Sequence, residues 1–146
     1  VTDADHAAEV VIVAGLRALT PGLAVVAEEE MAAGHVPKLE GRPFWLVDPL
    51  DGTKEFIKRN GEFTVNIALI ENGRPTLGIV LAPATDTLWR GAAGIGADKC
   101  GSDGVFTPIT TRPAPPEGLT ACASRTAIGA GWRAFSGLPG LTSHQT

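Results

Sequence analysis

Phe44-Trp45-Leu46-Val47-Asp48-Pro49-Leu50-Asp51-Gly52-Thr53-Lys54-Glu55-Phe56 joins an apolar run to two carboxylates three residues apart. Residues 44–47 are apolar and read as a buried strand that ends on the carboxylate of Asp48. Pro49 has a fixed φ, and Gly52 permits a backbone path that other residues resist, so residues 49–53 read as a sharp turn. Residues 54–59 then read as helical. Such a turn can aim Asp48, the Leu50 carbonyl and Asp51 at one point, and hard oxygens of this kind suit Mg²⁺ or Mn²⁺. The helix start behind it leaves backbone N–H groups at Gly52, Thr53 and Lys54 facing outward, an arrangement that takes up phosphate. The plainer alternative is a strand, an Asx-type turn and a capped helix with no ligand at all.

Upstream, residues 23–27 form a second short apolar run, which leads into Glu28-Glu29-Glu30. A run of like charges is ordinarily a solvated face. If the two apolar runs are neighbouring strands, however, their acidic ends coincide. Two carboxylates about 4 Å apart repel by roughly 4 kcal/mol at an effective dielectric of 20. Several such pairs call for a proton or a cation. Residues 5–19 read as a helix with an apolar stripe at Ala8, Val11, Ile12, Gly15, Leu16 and Leu19, capped by Thr2 or Asp3. Asp5 and Glu9 favour its positive end, and Thr20-Pro21-Gly22 stops it. Residues 31–42 read as a loop.

Downstream, Asn72-Gly73 between residues 63–70 and 76–81 is a hairpin signal. Short strands around glycines are expected across residues 85–107, a stiff connection at 113–116, a strand at 119–123 and a helix at 126–135. The whole reads as helices packed on a largely antiparallel sheet, with a strand and helix at the end. The chain has 146 residues and is 44% hydrophobic, enough for one domain or part of one. Its net charge of −4 offers no basic surface for a nucleic-acid polymer. Cys100 and Cys122 lie far apart without a CxxC spacing and read as reduced thiols. No apolar run is long enough to span a bilayer. The chain opens directly on a motif and stops at Gln145-Thr146, so both ends are expected to continue in a longer protein.

Val1-Thr2-Asp3-Ala4-Asp5, Ala27-Glu28-Glu29 and the residues 45–56 together resemble the inositol monophosphatase superfamily of Mg²⁺-dependent, often lithium-sensitive phosphatases. Lys54-Glu55-Phe56-Ile57 and the stretch 60–70 resemble its 3'(2'),5'-bisphosphate nucleotidase branch. The resemblance implies an α/β class, the α+β portion of a layered αβαβα sugar-phosphatase fold. Residues 1–146 would be a partial phosphatase domain, α+β to about residue 112, with a second α/β part from about residue 118.

By the same resemblance Glu28, Asp48 and the Leu50 carbonyl hold a first Mg²⁺, and Asp48 and Asp51 hold a second. Two or three ions are expected, with Mn²⁺ as an alternative. Asp5 and Thr53 activate the attacking water, Gly52 and Thr53 bind phosphate, and Glu29 supports the ligands from behind. Lys54, Ser124 and Arg125 are candidates for substrate contact, although Thr126 and Ala127 depart from the branch's Ser-Arg-Ser-His. The family's Trp-Asp motif, whose aspartate binds the second metal, has no counterpart here: Trp45, Trp89 and Trp132 precede Leu46, Arg90 and Arg133.

The implied reaction removes the 3'-phosphate of adenosine 3',5'-bisphosphate, giving AMP and phosphate, as in sulfate-assimilation nucleotide recycling. Inositol or other sugar-phosphate hydrolysis is the alternative within the class. A catalytically incomplete metal- or nucleotide-binding fragment is the alternative outside it. The expected partner is a small-molecule phosphate monoester. The resemblance also implies a monomer or homodimer, in the cytoplasm or peripheral on the inner membrane.

Overall fold

A computed structural model describes residues 2–114, 116, 119–121 and 141–143. The chain forms two compact units, residues 1–110 and 111–146. In the first, α1 (Asp3–Leu19) precedes β1 (Ala24–Ala27), α2 (Glu28–Ala32), β2 (Phe44–Asp51) and α3 (Thr53–Lys58). A meander follows: β3 (Thr64–Glu71), β4 (Arg74–Ala82), β5 (Thr87–Ala92), β6 (Gly96–Cys100) and β7 (Phe106–Ile109). The seven strands form one sheet in chain order. Within this sheet β1 and β2 run parallel, pairing Ala24 with Phe44 through Ala27 with Val47; its other neighbours are antiparallel. In the second unit, β8 (Leu119–Ala121) pairs in parallel with β9 (Leu141–Ser143). The expected helix at 126–135 lies outside the described residues, as do Cys122, Ser124 and Arg125. Among the described residues no helix is long and apolar enough to cross a membrane.

This is an α/β arrangement with a mixed, mainly antiparallel sheet, as the sequence pattern implied. Three local readings change. The strand from Phe44 does not stop at Val47. It continues to Asp51 through a register break between Asp48 and Asp51. Proline has no N–H to give to a ladder, and the break is where that missing donor costs least. The turn contracts to Gly52, at φ +92°. The three glutamates do not end a strand; they open α2, with Glu29 buried. The expected stripe of α1 holds in part: Ile12 and Leu16 pack against the core, but the fully buried positions lie beside it. Asp5, Glu9 and Val13 are buried, whereas Val11 and Leu19 are 72% and 73% exposed.

The core is Val13, Val25, Ala27, Trp45 and Val47, flanked by Ile12, Leu16, Leu23, Ile67, Leu69 and Leu77. It joins α1 to the inner face of β1 and β2. The Trp45 indole N–H donates to the Thr20 hydroxyl at 2.8 Å, and that hydroxyl donates to the Leu16 carbonyl at 2.9 Å. The end of α1 is thereby tied to the central strand. Thr20→Val is expected to cost about 1–3 kcal/mol in urea unfolding, because the indole N–H is left buried without its acceptor. A loss indistinguishable from zero would show that water replaces the threonine.

At the hairpin Asn72 and Gly73 have φ of 52° and 72°. Positive φ at both central residues suits the right-handed twist of the strands they join.

Candidate active site

Parallel pairing sends β1 and β2 out of the sheet at the same end. The residues that follow the last register pair, Ala27 and Val47, are Glu28 and Asp48. The two carboxylates lie close enough for each to shift the other's proton affinity. Burial first, then the Asp48 carboxylate, Glu29 and Asp5, raise the proton affinity of Glu28 above the ordinary carboxyl value. Asp48 is raised too, by burial foremost and by the charges of Asp51 and Asp5, against the opposing pull of the Leu50 N–H and of Glu28. The two carboxyls titrate as one coupled unit, each with its proton affinity raised.

Leu50 donates its N–H to Asp48 Oδ1 at 3.1 Å, which fixes the path between the two aspartates. Asn66 on β3 donates its side-chain N–H to Asp51 Oδ2 at 3.3 Å. The Thr53 hydroxyl opens α3 and lies 3.3 Å from both Asp5 Oδ1 and the Leu50 carbonyl. Asp5 is only 3% exposed. Burial alone would raise its pKa, but hydrogen bonds from the Thr2 hydroxyl and backbone and from its own N–H bring it below the ordinary value. It is thus held ionised. Phe56 of α3 meets Phe63 edge-on, with centroids 5.1 Å apart, and this anchors the short helix beside β3.

Asp5, Glu28, Asp48, Leu50, Asp51 and Thr53 therefore gather at one end of the sheet, from α1, α2, β2 and α3. Glu29 is buried beside Glu28, and Gly52 sits between Asp51 and Thr53 at the left-handed turn. Lys54 is exposed. Among the described residues no three acidic, imidazole or thiolate side chains close on one point as a finished cage. What the structure holds is an electrostatically coupled pair, Glu28 and Asp48, within the field of Asp5 and Asp51. Neighbouring carboxylates with raised proton affinity are hard oxygen donors of the kind that suits Mg²⁺ or Mn²⁺.

Two residues of the site are not evident from the sequence. Asn66 lies on a strand that reads as ordinary sheet. Glu9, 5% exposed, accepts the N–H of Glu29 at 2.7 Å and of Glu30 at 2.9 Å. Its one signal is its spacing, four residues after Asp5 on the same side of a helix.

Comparison with known proteins gives a consistent picture. Residues 1–131 match the sequence profile of the Inositol monophosphatase family. The chain is 53% identical over 117 residues to the 3'(2'),5'-bisphosphate nucleotidase CysQ of Salmonella typhimurium, covering 80% of this chain and 46% of that protein. The crystal structure of CysQ from Bacteroides thetaiotaomicron superposes with a TM-score of 0.74 at 31% identity, over 95% of this chain and 57% of that one. An inositol monophosphatase from Anabaena (Nostoc) gives 0.62 at 38% identity, over 68% and 38%. The chain thus spans about half the length of the curated relatives it matches.

Proposed function

Since this chain belongs to the inositol monophosphatase family, we propose that its acidic site serves a Mg²⁺-dependent phosphomonoesterase acting on the 3'-phosphate of adenosine 3',5'-bisphosphate. The products would be AMP and inorganic phosphate, which places the reaction in nucleotide recycling of the kind sulfate assimilation requires. The observation that carries the reading is the Thr53 hydroxyl beside the ionised Asp5, next to the Glu28–Asp48 pair. The nucleotidase assignment draws support from the Salmonella relative, at 53% identity.

Glu28, Asp48, the Leu50 carbonyl and Asp51 would hold the cations. Bound Mg²⁺ supplies Lewis acidity and charge neutralisation at the phosphoryl group. The chain's own residues do the rest. Thr53 accepts a hydrogen bond from the attacking water while donating its own proton toward Asp5, so the pair orients the water and draws proton density from it. The N–H groups of Gly52 and Thr53, at the start of α3, receive phosphate oxygens. Asn66 keeps Asp51 turned toward the site. Glu29 stands behind Glu28 and adds negative field.

Phosphate release from adenosine 3',5'-bisphosphate, compared with inositol 1-phosphate in the presence of Mg²⁺, tests the assignment. Preference for the nucleotide is the expected result. Turnover of inositol 1-phosphate with none of any 3'-phosphonucleotide would overturn the substrate and leave the phosphatase chemistry standing. Mg²⁺ and nucleotide binding without turnover of either would reduce the site to a binding module.

A further inference from the structure

We propose that Glu9 is a positioning residue that sets the divalent-cation affinity of the site by gripping the start of α2. The proposal rests on the reading that Glu28 and Asp48 hold the cation. A helix that only packed on a sheet would bury apolar side chains along its contact side. Here the buried residues of α1 are Asp5, Glu9 and Val13, spaced by four. A buried carboxylate is costly unless it is hydrogen-bonded, and both acids have partners on other elements. Asp5 reaches Thr53 at the start of α3. Glu9 spans the N–H groups of Glu29 and Glu30, one with each oxygen.

Those two N–H groups belong to the first turn of α2, where a helix has no internal acceptors to offer. The residue in the capping position is Ala27, which has no side-chain acceptor either. Glu9 therefore supplies the cap from a different element. With five residues, α2 is too short to be stable on its own. Its orientation depends on what holds its ends. Glu28 is the first residue of that helix, and it follows Ala27, the register partner of Val47, so it leaves the sheet beside Asp48. Releasing Glu9 lets Glu28 swing away from Asp48 with the backbone that carries it.

The test is calorimetric titration of Mn²⁺ into the full chain without substrate, together with the Mg²⁺ dependence of phosphate release. Glu9→Gln keeps the size of the side chain but turns an N–H donor toward one of the two backbone donors. It is expected to weaken Mn²⁺ binding and raise half-saturating Mg²⁺ by roughly ten-fold or more, the usual effect of losing a partner that orients a ligand. At saturating Mg²⁺ kcat should change far less. Glu9→Asp, which keeps the charge and retracts the oxygens, should move affinity the same way and serves if the glutamine variant does not fold. Val13→Ala, on the same side of α1, is the control. It should lower thermal stability without moving Mn²⁺ affinity. Unchanged Mn²⁺ affinity in both Glu9 variants would overturn the proposal, as would an equal shift in Val13→Ala. Wild-type protein that binds no Mn²⁺ would overturn the cation reading itself.

Discussion

Asp48→Asn is expected to lower kcat/KM for phosphate release by roughly three orders of magnitude, about 4 kcal/mol of transition-state stabilisation, while the fold survives. Asp48 is the one side chain the proposed mechanism asks to serve both cations, and a neutral amide is a weak ligand for a hard cation. The amide oxygen can still accept the Leu50 N–H, so the path through the register break is preserved. Stability should move the opposite way from activity. A carboxyl whose proton affinity rises on folding binds more protons in the folded state. Both Glu28 and Asp48 are of this kind. The cation-free protein is therefore favoured by these groups at pH below the ordinary carboxyl range, and loses that increment as pH climbs through their raised values. At neutral pH the asparagine relieves the repulsion, a gain below about 1 kcal/mol because both groups are partly open to water. Urea unfolding in a chelator reads the gain, and steady-state phosphate release reads the loss. Turnover within ten-fold of wild type would sink the role given to Asp48.

Gly52→Ala carries the second large effect, on stability and activity together. At φ +92° an L side chain is strained, and a Cβ built there lies 2.9 Å from the carbonyl oxygen of Glu62 and 3.3 Å from Phe63 Cα. Both obstacles are backbone and cannot turn aside as a flexible side chain would. The expected cost is about 2–3 kcal/mol. Relief requires shifting the junction that orients Asp51, Thr53 and the first N–H groups of α3, so kcat should fall by at least ten-fold in the protein that remains folded. Differential scanning calorimetry and single-turnover phosphate release separate the two effects. A wild-type melting temperature would show that the turn is not fixed by this contact.

The acidic centre was largely legible in the sequence. Residues 23–27 and 44–47 are apolar and end on carboxylates, and only parallel neighbours bring such ends together. The structure pairs Ala27 with Val47, which sets their successors Glu28 and Asp48 side by side. Asn72-Gly73 was legible because two positive φ values have few solutions other than that pair. The path of 48–51 was not, since proline ordinarily ends a strand, and its absorption into a register break depends on Asn66 and Thr64 across the sheet. The buried side of α1 is legible only in part, through Ile12 and Leu16. Hydrophobic periodicity assigns Val11 and Leu19 to the core and gives Glu9 no role beyond favouring the positive helix end. Glu9 is buried because two backbone N–H groups 20 and 21 residues away donate to its carboxylate, and no local pattern encodes a partner at that separation.

The four-residue interval between Asp5 and Glu9 sets different tolerances to insertion and deletion across the chain. One residue added between them turns everything beyond it by about 100° around the helix axis. Asp5 and Glu9 could then no longer face Thr53 and the start of α2 from the same side. The segment between α2 and β2, residues 33–43, is mostly exposed and bears on the centre only through its ends. Lineages of this domain should therefore differ freely in length between Ala33 and Pro43 and hold constant the count from Asp5 to Glu9.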